Sequence, residues 1–185
     1  MPEKTVLKWD TIERKDAGDL KIFKVSQVRR RNSQLGKEGT FVVLNSSAWV
    51  NIIPLTEDNK VIMIEQYRQG IDELTLEVPG GIVEAGEEPK DAGERECKEE
   101  TGYAGPGNAI LLGVNQPNPA FLDNLCYSYV WFDCRKLYEQ KLDRHEDIRV
   151  IEIPLKDIKS MILEGRINHS LVMDAFFYFF LRYDI

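Results

Sequence analysis

Residues 80 to 103 read GGIVEAGEEPKDAGERECKEETGY, and this stretch decides the fold. The paired glycines Gly80 and Gly81 mark a turn. Pro89 suits the first turn of a helix, where its missing N–H has no intrahelical partner to lose, and Gly102 suits the left-handed residue that ends one. A helix is therefore expected from about Pro89 to Gly102. Between those signals lie Arg95, Glu96, Glu99 and Glu100. The three glutamates are related by three and four residues, so at about 3.6 residues per turn they share a face. Like charges on one face repel, and a cation that takes oxygen ligands relieves that repulsion. Gly93 and Cys97, four apart, read as the opposite face, small and apolar, fit to pack on a sheet. Glu84, Glu88, Asp91 and Glu94 read as exposed charges.

The bulk numbers bound the rest. A chain of 185 residues with 43% apolar content and three Trp fits one domain with a full core, with room for a small appended sheet. The net charge is −7, and the quoted stretch alone holds eight acids against three bases, or −5. The remainder is near neutral, which argues against the basic surface that a nucleic-acid partner requires. Cys97, Cys126 and Cys134 are odd in number and lack CxxC spacing, so neither a disulfide framework nor a zinc site is expected, and a reducing, cytoplasmic setting is. The opening residues MPEKTVLKWD are polar, without the apolar stretch of a secretory leader. The longest apolar run, Ala175 to Leu181, is far short of the ~20 residues of a membrane span.

Alternating apolar patterns predict strands over Thr5–Trp9, Leu20–Val28 and Thr40–Leu44, separated by the polar turns DAGD and NSQLGKEG. These form a small N-terminal antiparallel sheet over residues 1–45, ahead of a main domain over 46–185. In the main domain, strands are predicted over Trp49–Leu55, Val61–Tyr67, Leu74–Val78, Ala109–Val114, Cys126–Phe132 and Arg149–Ile153. Pro154 opens a helix through about Leu163, and residues near Asn168 cap a last helix with Leu171, Val172, Ala175, Phe176, Phe179 and Phe180 as its core stripe. His145 and His169 have no partner at metal or triad spacing and read as surface or capping residues.

The quoted stretch resembles the Nudix box position for position: Gly81, Glu87, Arg95, Glu96, Cys97, Glu99, Glu100, Gly102 and Tyr103. Seven of these are fixed polar or Gly identities across 23 positions, a far more specific pattern than a lone glycine-rich loop. Cys97 and Tyr103 depart from the usual aliphatic residues, but only at packing slots. The resemblance implies an α/β/α sandwich with a mixed sheet, hydrolysis of a diphosphate bond, and Mg²⁺ as cofactor, with Mn²⁺ as its substitute. Outside the box, IEQYRQGIDELTLEVPGG (residues 64–81) and Pro119, sixteen residues after Tyr103, are similar to the ADP-ribose pyrophosphatase-like, nucleoside-diphosphate-sugar branch. ADP-ribose, ADP-glucose and GDP-mannose are the candidate substrate types.

The same resemblance assigns roles. Glu96 and Glu100 are the principal metal ligands, with Glu99, the carbonyl of Gly80 and Glu146 completing the set. Arg95 orients the carboxylates, a task for a planar bidentate donor and not for Lys. Glu87 contacts Arg95 or stands behind it. The EDIRV segment, Glu146 to Val150, resembles the mobile loop and following strand of that branch, so the general base is expected there, with Glu146 first, Glu139 and Asp143 in the same stretch, and Glu99 as the box alternative. Substrate contacts fall to Arg68 on the diphosphate, to Trp49 or Tyr67 as a stacking platform, and to Arg29 of the Arg29–Arg31 cluster. The small N-terminal sheet implies a homodimer, since such sheets are marginal alone. A non-catalytic sensor of the same fold and a plain interaction module are the rival readings; a sensor would be expected to lack a box carboxylate or the Arg, and all are present here.

Overall fold

The computed structural model describes residues 5–184, so the first four residues of the N-terminal region and Ile185 lie outside the described residues. The chain divides into two compact units. The first comprises the described residues up to Ser47 together with Gln116–Asn124; the second is Ala48–Asn115 with Leu125 onward.

The first unit is an antiparallel sheet of β1 (Asp10–Asp19), β2 (Lys24–Asn32) and β3 (Lys37–Asn45), in that order. Its register departs from the sequence pattern. Residues 5–9, expected as a strand, have no regular structure, and DAGD, expected as a turn, is the end of β1. The turn falls later, where the Leu20 N–H donates to the Phe23 carbonyl and the Asp19 carboxylate accepts from the Lys21 N–H. The apolar residues that suggested a strand there, Leu20 and Ile22, are 63% and 60% exposed. β1 is almost wholly solvated, so it has no apolar alternation to read, and pairing with β2 alone makes it a strand. The 116–124 segment docks on β3 through the Phe121 carbonyl, which accepts from the Leu44 N–H, and through Asn45 and Asp123.

The second unit holds β4 (Trp49–Pro54), β5 (Lys60–Arg68), β6 (Glu73–Glu77), β7 (Gly80–Ile82), α1 (Pro89–Thr101), β8 (Tyr103–Ala104), β9 (Ile110–Asn115), β10 (Cys126–Trp131), β11 (Arg135–Lys136), β12 (Ile148–Pro154), α2 (Leu155–Leu163) and α3 (Ser170–Tyr183). One sheet runs β7-β4-β10-β9 with β4 and β10 parallel; a second, β12-β5-β6, is antiparallel. The mixed α/β architecture agrees with expectation. On β4, Val50 and Ile52 face the core beneath α1, with Ala92, Cys97 and Trp131, while Ile53 faces a second core with Val130, Phe176 and Phe179 under α2 and α3. Alternation along one strand thus separates helix layers on its two faces. The predicted strands recur within a residue or two of their expected ends. β7, β8 and β11 were not anticipated, being too short to carry a period. The last helix begins at Ser170 with His169 at its N-cap position, next to Asn168 as expected.

α1 begins at Pro89 and ends against Gly102, which has φ 75° and whose N–H donates to the Lys98 carbonyl. One helical expectation is corrected. Glu100 follows Gly93 by seven residues, two full turns, so it lies on the packing face with Gly93 and Cys97 and is only 3% exposed. Gly102 is required twice over, because a Cβ there would also stand 2.1 Å from the Tyr138 carbonyl oxygen. Gly102→Ala should therefore lower stability by about 1–3 kcal/mol from backbone strain alone, read by urea denaturation; an unchanged midpoint would contradict this account of the helix end.

Candidate active site

The acidic face of α1 is organised by Arg95. Its guanidinium carries five N–H donors, and five bonds are made. Nε and Nη2 donate to the two carboxylate oxygens of Glu87 at 2.9 and 3.1 Å, Nη1 donates to Glu96 at 2.8 Å and Glu99 at 3.2 Å, and Nη2 also donates to the Ile82 carbonyl at 3.2 Å. The Glu87 carboxylate is held below the usual carboxylate range by Arg95, and the guanidinium is raised in turn, mainly by Glu87. Glu87 also accepts from the Glu84 N–H at 3.0 Å, so one side chain fixes both the loop before the helix and its central Arg.

Glu100 is different. Its Oε2 accepts from the Gly80 N–H at 3.0 Å, and no cationic side chain bonds to it. Burial pushes its carboxyl up to about 9, with Glu96 and Glu146 adding to the rise and the Gly80 N–H and Arg68 opposing it. Glu96 is raised too, first by burial and then by Glu99 and Glu146, against the pull of Arg95. The two glycines make room for this packing. A Cβ on Gly81 would lie 2.3 Å from Glu96 Oε1, and one on Gly80 would lie 2.3 Å from the Val50 carbonyl oxygen.

Arg68, at the end of β5, is not a free substrate ligand. Nε and Nη2 donate to the two oxygens of Glu77 at 2.7 and 2.6 Å, and the Thr75 hydroxyl donates to Glu77 at 2.6 Å. Glu77 is 3% exposed. Burial drives its carboxyl up, but the Arg68 and Thr75 bonds outweigh that and leave it below its ordinary value. Arg68 is thereby clamped in one orientation with Nη1 unused by this pair. Sequence reading singled out Arg68 but missed Glu77 and Thr75, although alternation along β6 puts residues 75 and 77 on one face.

Arg68 borders an open cleft of about 800 Å³ lined also by Gln66, Tyr67, Gln69 and Asp143–Asp147. Glu146 lies on that rim, its carboxylate accepting from the Asp143 N–H at 2.8 Å. The charges of Glu100 and Glu146 both act on Arg68, so the β5 end, the helix carboxylates and the loop share one region. Tyr67 is exposed in the same cleft, with its hydroxyl donating to Asp72. Trp49 opens β4 opposite Ile82 and Cys126. Arg29 and Pro119 belong to the first unit, where Arg29 pairs with Glu38 at 3.4 Å and Glu13 at 3.6 Å. Asp143 lines the cleft, whereas Glu139 is not among its lining residues. Glu94, read as a free charge, instead accepts from the Ala109 N–H at 2.9 Å.

The donor set of Glu96, Glu99, Glu100 and Glu146 is all oxygen, which suits a hard ion such as Mg²⁺, and the burial of Glu100 without a bonded cation gives its ionised form a reason to take one. The carboxylates do not stand as a closed cage. Among the described residues no group of three acidic, His or Cys side chains has ligand spacing, because Glu96 and Glu99 are turned onto Arg95 and Glu100 onto Gly80.

Comparison with known proteins agrees with this geometry. Residues 47–176 match the family model described as the NUDIX domain. The chain is 31% identical over 160 residues to a methanol dehydrogenase activator of Bacillus methanolicus, covering 86% of this chain and 84% of that protein. It is 28% identical over 128 residues to an ADP-ribose pyrophosphatase of Bacillus subtilis, covering 69% of each. A solved structure described as an ADP compounds hydrolase superposes with a TM-score of 0.82 over 95% of this chain and 94% of that one, at 20% identity, a likeness of fold.

The buried charge of Glu100 yields a test. Its folded pKa lies above the ordinary 4.5, so without metal its cost is absent at low pH and grows as pH rises toward the folded value. Glu100→Gln keeps an acceptor for Gly80 and removes the charge. In EDTA the variant should melt higher than the native chain above about pH 7 and equally below the ordinary carboxyl pKa, by scanning fluorimetry; equal melting at both would mean that the charge is already compensated.

Proposed function

The chain belongs to the Nudix family, and on that premise we propose that this pyrophosphohydrolase cleaves the diphosphate bond of a nucleoside diphosphate sugar, of ADP-ribose, ADP-glucose or GDP-mannose type, in the presence of Mg²⁺. The products are a nucleoside monophosphate and a sugar phosphate. The observation that carries the reading is the shared field of Glu96, Glu100, Glu146 and Arg68 beside an open cleft. The relative from Bacillus subtilis, named for ADP-ribose, supports the substrate class.

Diphosphates resist attack because their oxygens are negative, so a catalyst must neutralise charge and deliver deprotonated water. Glu96, Glu99 and Glu100, with the Gly80 carbonyl and Glu146, would hold Mg²⁺, which when bound neutralises charge on the diphosphate oxygens and makes water more acidic. Arg95 holds Glu96 and Glu99 in place through the two bonds of Nη1. Arg68, locked by Glu77, offers its remaining N–H groups to the diphosphate. Glu146 accepts the proton of the attacking water. Tyr67 and Trp49 are the candidate stacking surfaces.

Incubation with Mg²⁺ and a panel of nucleotide sugars should release monophosphate, and EDTA should abolish the release. No release from any member would favour the non-catalytic sensor. Glu146→Gln should lower kcat by about 100-fold or more with little change in KM; near-normal turnover would return the proton to Asp143, Glu139 or Glu99. The relative from Bacillus methanolicus is named as an activator of a dehydrogenase, and action on a partner enzyme is the second reading, marked by a change in that partner's turnover with this chain added. We also propose a homodimer joined through the β1–β3 sheet. Light scattering should give twice the mass of 21.3 kDa, and a fully active monomer would refute it.

A further inference from the structure

The C-terminal carbonyls of a helix have no intrahelical partners and must be met from elsewhere. In α1 those carbonyls belong to the turn that carries Glu99 and Glu100, and the segment after β11 supplies most of the donors. The Leu137 and Tyr138 N–H groups donate to the Gly102 carbonyl at 2.9 and 3.0 Å, and the Lys141 N–H donates to the Glu99 carbonyl at 2.8 Å. Gln140 adds a side-chain bond: Nε2 donates to the Glu100 carbonyl at 2.7 Å and to the Ile148 carbonyl at 3.3 Å. A carboxamide nitrogen has two N–H donors, and both acceptors here are carbonyl oxygens, so the chemistry of the site fixes which end of the amide faces them.

The two acceptors are the feet of one loop. Residues 142–147 leave the α1 terminus just after Lys141 and re-enter the sheet at Ile148, which pairs with Gln66 on β5. Between those points the loop closes on itself, with the Glu146 N–H donating to the Asp143 carbonyl at 3.0 Å and the Asp143 N–H to the Glu146 carboxylate. Nothing else among the described hydrogen bonds ties Asp143–Asp147 to α1. We propose that Gln140 is a positioning residue for Glu146: its amide joins the helix turn bearing the acidic cluster to the strand where the loop ends, and so sets where Glu146 stands relative to Glu96 and Glu100. Gln140 lies outside the Nudix box and is not among the residues lining the cleft, so its effect passes through the loop. The inference rests on Glu146 acting in hydrolysis.

The test is a double-mutant cycle on the nucleotide sugar that the panel shows to be cleaved fastest, with Gln140→Met, Gln140→Lys and Glu146→Gln singly and each Gln140 variant combined with Glu146→Gln. Methionine keeps the length and removes both donors. Lysine keeps donors for two carbonyls at a helix C-terminus, where a cation is favoured. Gln140→Met should lower kcat by about tenfold with KM little changed, and Gln140→Lys should restore most of it. In the Glu146→Gln background, Gln140→Met should cost nothing further, because residues that act through one another do not add. Unchanged kcat in Gln140→Met, failure of Lys to restore it, or the same loss in both backgrounds would overturn the proposal while leaving the hydrolase reading intact. Normal turnover in Glu146→Gln would overturn both this proposal and the general-base assignment.

Discussion

One guanidinium makes the rest of the site possible. A helix with Glu96, Glu99 and Glu100 on adjoining positions, and Glu87 just before it, concentrates negative charge that would oppose folding. Arg95 answers three of the four with charge-assisted bonds and spends its fifth donor on the Ile82 carbonyl. Its planar fork matters, since a Lys ammonium has three donors and could not serve Glu87 in bidentate fashion while holding two more carboxylates. The residue it omits is Glu100, the most buried of the set. The region therefore contains a neutralised part, which sets geometry, and one unneutralised carboxylate, which gives a cation something to relieve. A protein selected only for stability would not keep the second.

The same division recurs at Arg68. Glu77 is as buried as Glu100, but it has a fixed cation and a hydroxyl donor, and its carboxyl lies below the ordinary value where that of Glu100 lies above it. Two equally buried glutamates in one unit thus take opposite electrostatic states, because one has a bonded cation and a hydroxyl donor and the other has carboxylate neighbours. The Glu77 pair presents a rigid positive group to the cleft; Glu100 presents a buried carboxyl that a bound cation would ionise. A diphosphate bridged to an oxygen-seeking cation is the kind of ligand that both can meet at once.

Legibility in the sequence followed the range of the interactions. Pro89 and Gly102 act within one helical turn, and the helix ends lie where those residues place them. Strands β4, β5, β6, β10 and β12 have buried faces that impose alternation or continuous apolar runs, and they were found to within a residue or two. β1 has no buried face and was misplaced, because its register is set by backbone pairing to β2 and not by side chains. Within the site, the box residues were legible because their spacing is local. The orientation of Glu100 toward the core was misjudged by treating 96, 99 and 100 as one face, when α1 spreads them from solvent to sheet. Glu77 and Gln140 were missed, since each acts across the fold on a partner 9 or 40 residues away.

Those long-range bonds explain how a short motif can work on a substrate it does not wholly touch. The box supplies the carboxylates, but their field extends only over nearby groups, so a loop 40 residues further along must be brought to them with small positional error. Displacement of about 1 Å is enough to cost orders of magnitude in rate. Capping provides that precision at little extra cost, because the carbonyls at the end of α1 need donors in any case. By drawing those donors from Leu137, Tyr138, Gln140 and Lys141, the fold turns the completion of one helix into the reference point for the loop that carries Glu146. On the proposed role of Glu146, helix termination and catalytic alignment are then the same set of bonds.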